Sequence, residues 1–332
     1  MHLMKNKGAQ ILVALGLGIL GLYLALRGVN FSDIQTALQN ARWSWVILAI
    51  PCMLVSFLLR AYRWRILLNS QLSVSDAFGL INIGYLVSDI LPLRLGDPAR
   101  AVAASMRSDI PIVTTLSTVV IERTLDLLTA VLFLVLTLPF IAVGNSAIAG
   151  LVSGGAALIL LITLILMAGH PEKTESIARA VLTRLPLGDP ERWLAPLRDI
   201  LKGLQALNAP RTGIALGLLS LGIWGAVIVY YIVLQHALLY EAIPQPAFLA
   251  ALVVTWATAL GMAVPSQGGI GGYHAAAKWA LTLPLFGTAG PLATTYALLA
   301  HAISYILGVA LGASALMLWG ISLKEITTTS NT

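Results

Sequence analysis

Long apolar runs separated by short polar stretches fill this chain from residue 9 to residue 323. A helix needs about 20 apolar residues to cross the hydrocarbon of a bilayer. Runs of that length recur, and only 10% of the residues are charged, whereas soluble domains carry about 25%. A soluble core cannot bury so much apolar surface. The sequence therefore predicts an all-α polytopic integral membrane helical bundle.

Six full spans and two interrupted apolar stretches are predicted. The full spans are placed near 9–27, 43–60, 112–139, 146–168, 212–239 and 291–320. The interrupted stretches are 76–104 and 247–285, and each is broken in the middle by proline and glycine. Backbone groups freed at such breaks find no partner in lipid, so breaks persist only inside protein or beside water. We therefore expect two re-entrant helical hairpins, with ordinary loops between short spans as the alternative.

The basic residues gather at the ends of the apolar runs. Placing the N-terminus in the cytoplasm puts most of the 20 Lys and Arg residues on the cytoplasmic side, as the positive-inside rule requires. This topology predicts a protein integral to the plasma (inner) membrane with both termini cytoplasmic. It also orients the two hairpins oppositely, like an inverted repeat. Paired breaks of opposite orientation indicate a transporter-like site near the midplane.

One membrane domain is predicted over residues 1–323. Within it, apolar and basic residues alternate at helical spacing in a segment of about 170–211, which favours an amphipathic cytoplasmic stretch on the membrane surface. Residues 324–332 are rich in Thr, Ser and Asn and are predicted to form a disordered tail. Because topology explains the net charge of +6, no nucleic-acid partner is predicted.

Two arginines and two aspartates surround the first break, which contains Pro92, Gly96 and Pro98. Charges in a membrane are costly unless they are paired or hydrated. Arg94 and Arg100 are candidates for binding a phosphate, because a guanidinium bonds two of its oxygens at once. The alternative is structural, with Arg100 paired to the aspartate three residues before it, Asp97.

A second charged group follows in the next predicted span. Glu122 and Asp126 lie four residues apart on one helix face, and Arg123 lies three before Asp126. In an apolar helix these side chains could balance the bases of the first hairpin, coordinate a cation or carry a proton. A purely structural ion-pair network is the alternative, and the sequence leaves both open.

The second break begins at Pro265 and ends at Gly272, where the next half-helix starts. Its polar and glycine residues are Ser266, Gln267, Gly268, Gly269 and Gly271, and His274 follows. A glycine-rich turn at a helix N-terminus suits an anion. His274 would allow proton linkage near neutral pH, although a lone histidine more often satisfies a local hydrogen bond.

Two other glycine patterns are predicted to be structural. Gly16, Gly18 and Gly21 match the dinucleotide fingerprint in spacing, but they lie inside the first span with no preceding strand. Gly308 and Gly312 have the small-xxx-small spacing that marks close helix packing. Neither an ATPase phosphate-binding loop nor a zinc-protease motif is present. No cofactor and no metal are therefore expected.

The charged and broken segments together resemble a known family. They are residues 60–65, Asn82 with 91–100, Glu122 and Arg123 with Asp126, and 265–271. In this order they look like the flippase-like membrane domain of lysylphosphatidylglycerol synthases, over nearly the whole chain. Gly96-Asp97 replaces the Gly-Glu usual in that family, and His274 stands where an acid is common. The aminoacyl-transferase domain is not expected, so synthase activity is not implied.

The resemblance implies a protein that moves lipid headgroups between leaflets. A lipid flippase or translocase is the favoured function, with an anionic or aminoacylated phospholipid, a glycolipid or a polyprenyl-phosphate lipid as partner, and homo-oligomers are compatible with it. The headgroup-binding residues are expected to be Arg94, Asp97, Arg100, Glu122, Arg123, Asp126, Ser266, Gln267, Gly268, Gly269, Gly271 and His274.

Two other functions remain open. One is a membrane glycosyltransferase or lipid-modifying transferase that uses a lipid-phosphate substrate, with Asp97, Glu122 or Asp126 as the required carboxylate. The other is an ion-coupled carrier of a small solute, which the acidic pair and His274 would suit. No residue is assigned a catalytic role.

Overall fold

The computed structural model consists of helices joined by turns and loops in the part of the chain that it describes. That part comprises residues 7–91, 95–142, 170–184, 189–191, 210–243, 247–264, 266–323 and 325–326, with Gly155, Ile159, Leu194, Leu197 and Arg198. The α-helices within it are α1 (Lys7–Leu26), α2 (Phe31–Gln39), α3 (Trp43–Leu67), α4 (Val74–Ile90), α5 (Gly96–Arg107), α6 (Ile112–Ala142), α7 (Pro171–Leu182), α8 (Pro210–Leu238), α9 (Ala247–Gly261), α10 (Gly272–Leu281) and α11 (Gly290–Trp319). No strand occurs in these residues, so the predicted all-α class is confirmed.

Four helices are long and apolar enough to cross a membrane, namely α3, α6, α8 and α11. They correspond to four of the predicted spans. A fifth candidate is α1 together with α2, which are bent by 70° relative to each other. The described residues therefore contain four or five candidate spans. The predicted span at 146–168 lies almost entirely outside them.

Both predicted interruptions are breaks between two helices. α4 ends at Ile90 and α5 begins at Gly96, while α9 ends at Gly261 and α10 begins at Gly272. In each pair the helices pack closely through glycine. A Cβ atom on Gly96 would collide with the carbonyl oxygen of Gly84, and one on Gly272 with that of Gly261. Residues without a Cβ therefore permit both close approaches.

The two breaks contact each other. A short 3₁₀ turn, Gln267–Gly269, lies in the second break. Nε2 of Gln267 donates to the carbonyl oxygen of Ile90 at 2.7 Å, and the hydroxyl of Tyr305 on α11 donates to that of Asp89 at 3.2 Å. Carbonyl groups in the last turn of a helix have no partner within the helix. The second break and α11 thus satisfy the end of α4.

Helix α11 packs closely along α4, as its glycine spacing predicted. Gly308 lies against Tyr85, and a Cβ atom on Gly312 would collide with the backbone of Asn82. An apolar core cluster forms where α3, α4, α5 and α11 meet. Ile326, within the segment predicted to be a tail, is fully buried in this cluster, and residues 327–332 lie outside the described part.

Candidate functional site

Seven charged side chains from three helices meet beside α4. They are four arginines and three acids: Arg60 and Arg63 of α3, Asp97 and Arg100 of α5, and Glu122, Arg123 and Asp126 of α6. We call this group the charged cluster. Helical spacing of three or four residues places the members from each helix on one face, and the packing of α5 between α4 and α6 brings the faces together. The formal charge of the cluster is one positive.

Asp126 is bound by two arginines of α3, Arg60 and Arg63. Nη1 of Arg63 lies 2.9 Å from its Oδ1, and Nη1 of Arg60 lies 3.2 Å from its Oδ2. The indole N–H of Trp224 on α8 also donates to Oδ1, at 3.3 Å. Arg63 has no exposed side-chain surface and donates to the hydroxyl of Ser220 on α8 at 3.0 Å. The cluster is therefore attached to α8 as well as to α3.

Glu122 lies between two guanidinium groups. Its Oε2 is 2.5 Å from Nη2 of Arg100, and its Oε1 is 3.9 Å from Nη2 of Arg63. The guanidinium of Arg100 also lies over the ring of Trp64, 4.4 Å from the ring centre, where a cation is attracted to the aromatic face. Arg100 is thus fixed on two sides, by a carboxylate and by an indole.

Asp97 pairs with Arg123 of the next helix. Two bonds join them, Nη2 to Oδ1 at 2.9 Å and Nε to Oδ2 at 3.2 Å. The predicted pair of Asp97 with Arg100 is 3.9 Å long, as is the contact of Arg123 with Asp126. Both exceed hydrogen-bond distance. The strong pairs of the cluster therefore join different helices, and the pairs predicted within one helix are secondary.

A cavity of about 30 Å³ lies among these side chains, bounded on one side by Gly84, Tyr85 and Ser88 of α4. A water molecule needs about 10–15 Å³ of such space, so the cavity accommodates about two waters and no lipid headgroup. Three buried N–H groups, Nε and Nη2 of Arg63 and Nε of Arg100, have no acceptor in the described part of the protein. These donors are available to an oxygen ligand.

The turn of the second break is a separate group. Gly268, Gly269 and Gly271 have φ angles of 55°, 71° and 91°, in the left-handed region that favours glycine. The turn packs backbone to backbone on α1, where a Cβ atom on Gly21 would lie 2.5 Å from the carbonyl carbon of Gly271. The glycine pattern of α1, which includes Gly18, thus accommodates the second break, a role that its spacing did not predict.

His274 makes the local hydrogen bond expected of a buried histidine. Its Nδ1 accepts from the amide of Gly271 at 3.3 Å. Its Nε2 faces Nδ1 of His301 on α11, also at 3.3 Å, and the ring of Tyr273 stacks on His301. Ser266 is buried, and its hydroxyl has no partner among the described residues. This histidine pair could not be inferred from the sequence, because His274 and His301 are 27 residues apart and lie on different helices.

One comparison with known proteins decides the family. The model of the lysylphosphatidylglycerol synthase TM region matches residues 11–312. The chain belongs to this family. No curated protein and no solved structure matches it. Members of the lysylphosphatidylglycerol synthase TM family are integral membrane proteins with a lipid-related function, and the matched range includes both breaks and the whole charged cluster.

In this family member the predicted site residues fall into two groups. Five lie together in the charged cluster: Asp97, Arg100, Glu122, Arg123 and Asp126. Six lie at the second break: Ser266, Gln267, Gly268, Gly269, Gly271 and His274. Arg94 lies outside the described residues, as do the break residues Pro92 and Pro265. The two groups are joined through the end of α4, and the cavity described above is lined by members of the first group.

Two arginines of the cluster were not predicted as site residues. The predicted span ended at residue 60, whereas the helix continues to Leu67, so Arg60 and Arg63 lie inside the helix. The signal was present in the sequence, because two bases three residues apart share one helix face and belong to the arginine-rich motif at residues 60–65.

Proposed function

We propose that this protein translocates a lipid headgroup between leaflets and that the headgroup binds at the charged cluster while the acyl chains remain in lipid. The observation that carries the proposal is the set of buried guanidinium donors without a protein acceptor, on Arg63 and Arg100. An arginine at the centre of a membrane helix costs about 2.5–3.5 kcal/mol, and such residues mark substrate pathways. The positive excess of the cluster favours an anionic group such as phosphate.

The depth of the cluster supports this function. α6 has 31 residues, which at 1.5 Å per residue make about 46 Å, against about 30 Å of hydrocarbon. Glu122 lies ten residues from the start of α6, or about 15 Å along its axis. With the extra length of α6 divided between its two ends, a cluster at this depth would lie near one interface and still below the headgroup layer. A headgroup entering from that leaflet would reach it first.

Exposure within the cluster decreases along a path inward. The side chain of Arg123 is 57% exposed, that of Asp97 35% and that of Arg100 5%. A phosphate would meet Arg123 first and then the open donors of Arg100 and Arg63. The carboxylates of the cluster would fix the positions of the arginines and balance their charge, or would contact an amine on the headgroup.

We further propose that the helix pairs α4–α5 and α9–α10 are re-entrant hairpins of opposite orientation. Their close glycine packing and the contact of Gln267 with Ile90 support this arrangement. The cavity of about 30 Å³ is too small for a headgroup. Translocation therefore requires the breaks to separate, and the turn around 266–271 would form the gate on the far side.

Reconstitution into vesicles with fluorescent lipids tests the function. We expect faster transbilayer exchange of at least one anionic, aminoacylated or glycosylated lipid than in protein-free vesicles. Arg63→Lys keeps the positive charge but removes the planar, forked guanidinium. A charge-assisted hydrogen bond to the headgroup is worth about 1.5–3 kcal/mol, so its loss should slow lipid exchange about tenfold or more.

Arg65→Lys is the matched control. Arg65 lies on the same helix and donates to the carbonyl oxygen of Leu72, outside the cluster, so this variant should exchange lipid at the original rate. Folding of each variant is checked by its elution in detergent. Well-folded protein that accelerates no lipid of the three classes would contradict the proposal, and a new lipid product in the same vesicles would favour the transferase instead.

A further inference from the structure

Two buried histidines connect to both ends of the glycine turn in the second break. His274 and His301 are 4% and 6% exposed. The amide of Gly271 donates to Nδ1 of His274, and the backbone of Gly268 lies beside the His301 ring. Since the two rings also contact each other at 3.3 Å, the pair closes a circuit across residues 268–271. The charged cluster takes no part in it.

These bonds determine where the hydrogens of the neutral pair lie. Because the Gly271 amide is a donor, Nδ1 of His274 is an acceptor, so a neutral His274 carries its hydrogen on Nε2. That hydrogen points to Nδ1 of His301. A neutral His301 therefore carries its own hydrogen on Nε2. Every hydrogen bond in the circuit is satisfied only when both rings are neutral.

We propose that this pair is a proton-binding site that opens the second break and so links lipid movement to protons. An added proton can enter only at one of the two acceptor nitrogens. On His274 it would face the amide hydrogen of Gly271, and on His301 it would face the Nε2 hydrogen of His274. In either case a hydrogen bond becomes a contact between two donors. The first contact is relieved when the turn moves away from the start of α10, and the second when α10 and the turn move away from α11.

Release of the turn would separate the two breaks. Gly268 lies against the backbone of Asp89, and its neighbour Gln267 supplies the bond to Ile90. A turn that moves in either of these ways would also weaken its contacts with α4, which close the end of that helix. This inference rests on the proposed function, because protonation of the histidine pair would open the gate through which a headgroup passes.

Few other groups around the pair titrate. Among the described residues, the titratable side chains nearest the pair on the elements packed against it are the phenols of Tyr231, Tyr273, Tyr296 and Tyr305, the ammonium of Lys278 and the carboxyl of Asp89. Nζ of Lys278 donates to carbonyl oxygens of Ala25 and Arg27, both at 2.8 Å, and so is directed away from the pair. Phenols and ammonium groups keep their protons between pH 5 and 8. Asp89 is therefore tested beside the histidines.

Hydrogen–deuterium exchange of the whole protein in lipid nanodiscs, at pH 7.5 and 5.5 and corrected for intrinsic rates, tests the site without relying on lipid movement. We expect peptides covering 266–276 to exchange faster at pH 5.5. His274→Asn retains an acceptor for the Gly271 amide and does not titrate, so its turn should exchange equally at both values. His301→Gln is the second variant, with the same expectation.

The matched control is His236→Gln. His236 lies on α8, where its ring packs against Trp45 and Tyr240, so this variant should keep the original pH response. Asp89→Asn should keep it as well. Transbilayer lipid exchange in vesicles is then compared at the same two pH values. We expect it to rise severalfold at pH 5.5 in the unaltered protein, in His236→Gln and in Asp89→Asn, and to stay unchanged in His274→Asn and His301→Gln.

The outcomes separate the two proposals. A turn that exchanges equally at both pH values in the unaltered protein overturns the proton site. So does a pH response that survives in His274→Asn and His301→Gln, or one that is lost in Asp89→Asn. A pH response confined to the histidines, with no lipid movement by any form, supports the proton site and overturns the translocase.

Discussion

Arg100 of α5 and Glu122 of α6 form a buried ion pair, with Nη2 and Oε2 2.5 Å apart and side chains that are 5% and 6% exposed. A charge buried in this way is stable only beside its partner, because the protein interior cannot replace the lost hydration. The pair therefore has two roles that can be separated by mutation. It joins two helices, and it holds Arg100 beside the cavity with an Nε–H group that has no acceptor among the described residues.

Removing one partner of the pair should destabilise the fold. Glu122→Ala leaves Arg100 without its carboxylate, and breaking a buried pair costs about 3–5 kcal/mol. Asp76→Ala, which breaks the more exposed pair with Arg107, should cost about 1 kcal/mol. Equilibrium unfolding in mixed detergent micelles measures both. Equal losses of unfolding free energy in the two variants would mean that the Arg100–Glu122 pair is hydrated in the membrane.

Replacing both partners distinguishes a structural network from a binding site. A buried pair exchanged for apolar residues of similar volume is often neutral or stabilising, so Arg100→Met with Glu122→Met should unfold at about the original denaturant concentration. The double variant has no guanidinium at this position, and we expect it to move lipid much more slowly. Unchanged lipid movement would show that the pair has a structural role only.

The contact of α1 with the second break predicts opposite effects of two alanine substitutions on one helix. A Cβ atom at Gly21 would lie 2.5 Å from the Gly271 backbone, whereas one at Gly16 meets no atom within 4 Å. Gly16→Ala should stabilise α1 by up to about 1 kcal/mol through helix propensity, and Gly21→Ala should destabilise the protein. Thermal unfolding in detergent compares them. Equal melting temperatures would contradict the packing of α1 on this turn.

Apolar length and breaker residues were enough to predict most helices of the described part. A run of about 20 apolar residues has few alternatives to a membrane helix, so α3, α6, α8 and α11 were placed from sequence. Glycine and proline marked both breaks, because these residues stop a helix where they cluster. These are local signals, and they predict local structure.

The partners within the charged cluster could not be predicted in this way. Spacing of four residues showed that Glu122 and Asp126 share a face, but not that Arg63, about 60 residues earlier, reaches Asp126 from α3. That contact depends on how helices pack, which residue spacing within one helix does not specify. The pairing of His274 with His301 was missed for the same reason.

The described part of the predicted cytoplasmic segment yields a pH prediction. Arg198 bridges two acids, with Nη2 at 2.6 Å from Oε1 of Glu175 and Nη1 at 2.9 Å from Oε2 of Glu191. Arg179 of α7 also bonds Glu191, at 2.5 Å. Hydrogen bonds from Arg179 and Arg198 lower the pKa of Glu191, and those from Arg198 lower the pKa of Glu175. These bonds connect α7 to the residues that follow it.

A carboxyl group whose pKa is lower in the folded state stabilises that state above its ordinary pKa and ceases to do so as the pH falls through the lowered value. The attachment of α7 should therefore be complete at pH 7 and weaken below about pH 4.5, the ordinary value for glutamate. Salt at 1 M reduces the Debye length to about 3 Å, so it should weaken the attachment of α7 at pH 7. Hydrogen–deuterium exchange of peptides from Pro171–Leu182 measures both effects. Arg198→Gln should exchange fast under all these conditions, and a wild-type response that this variant retains would show that other contacts secure α7.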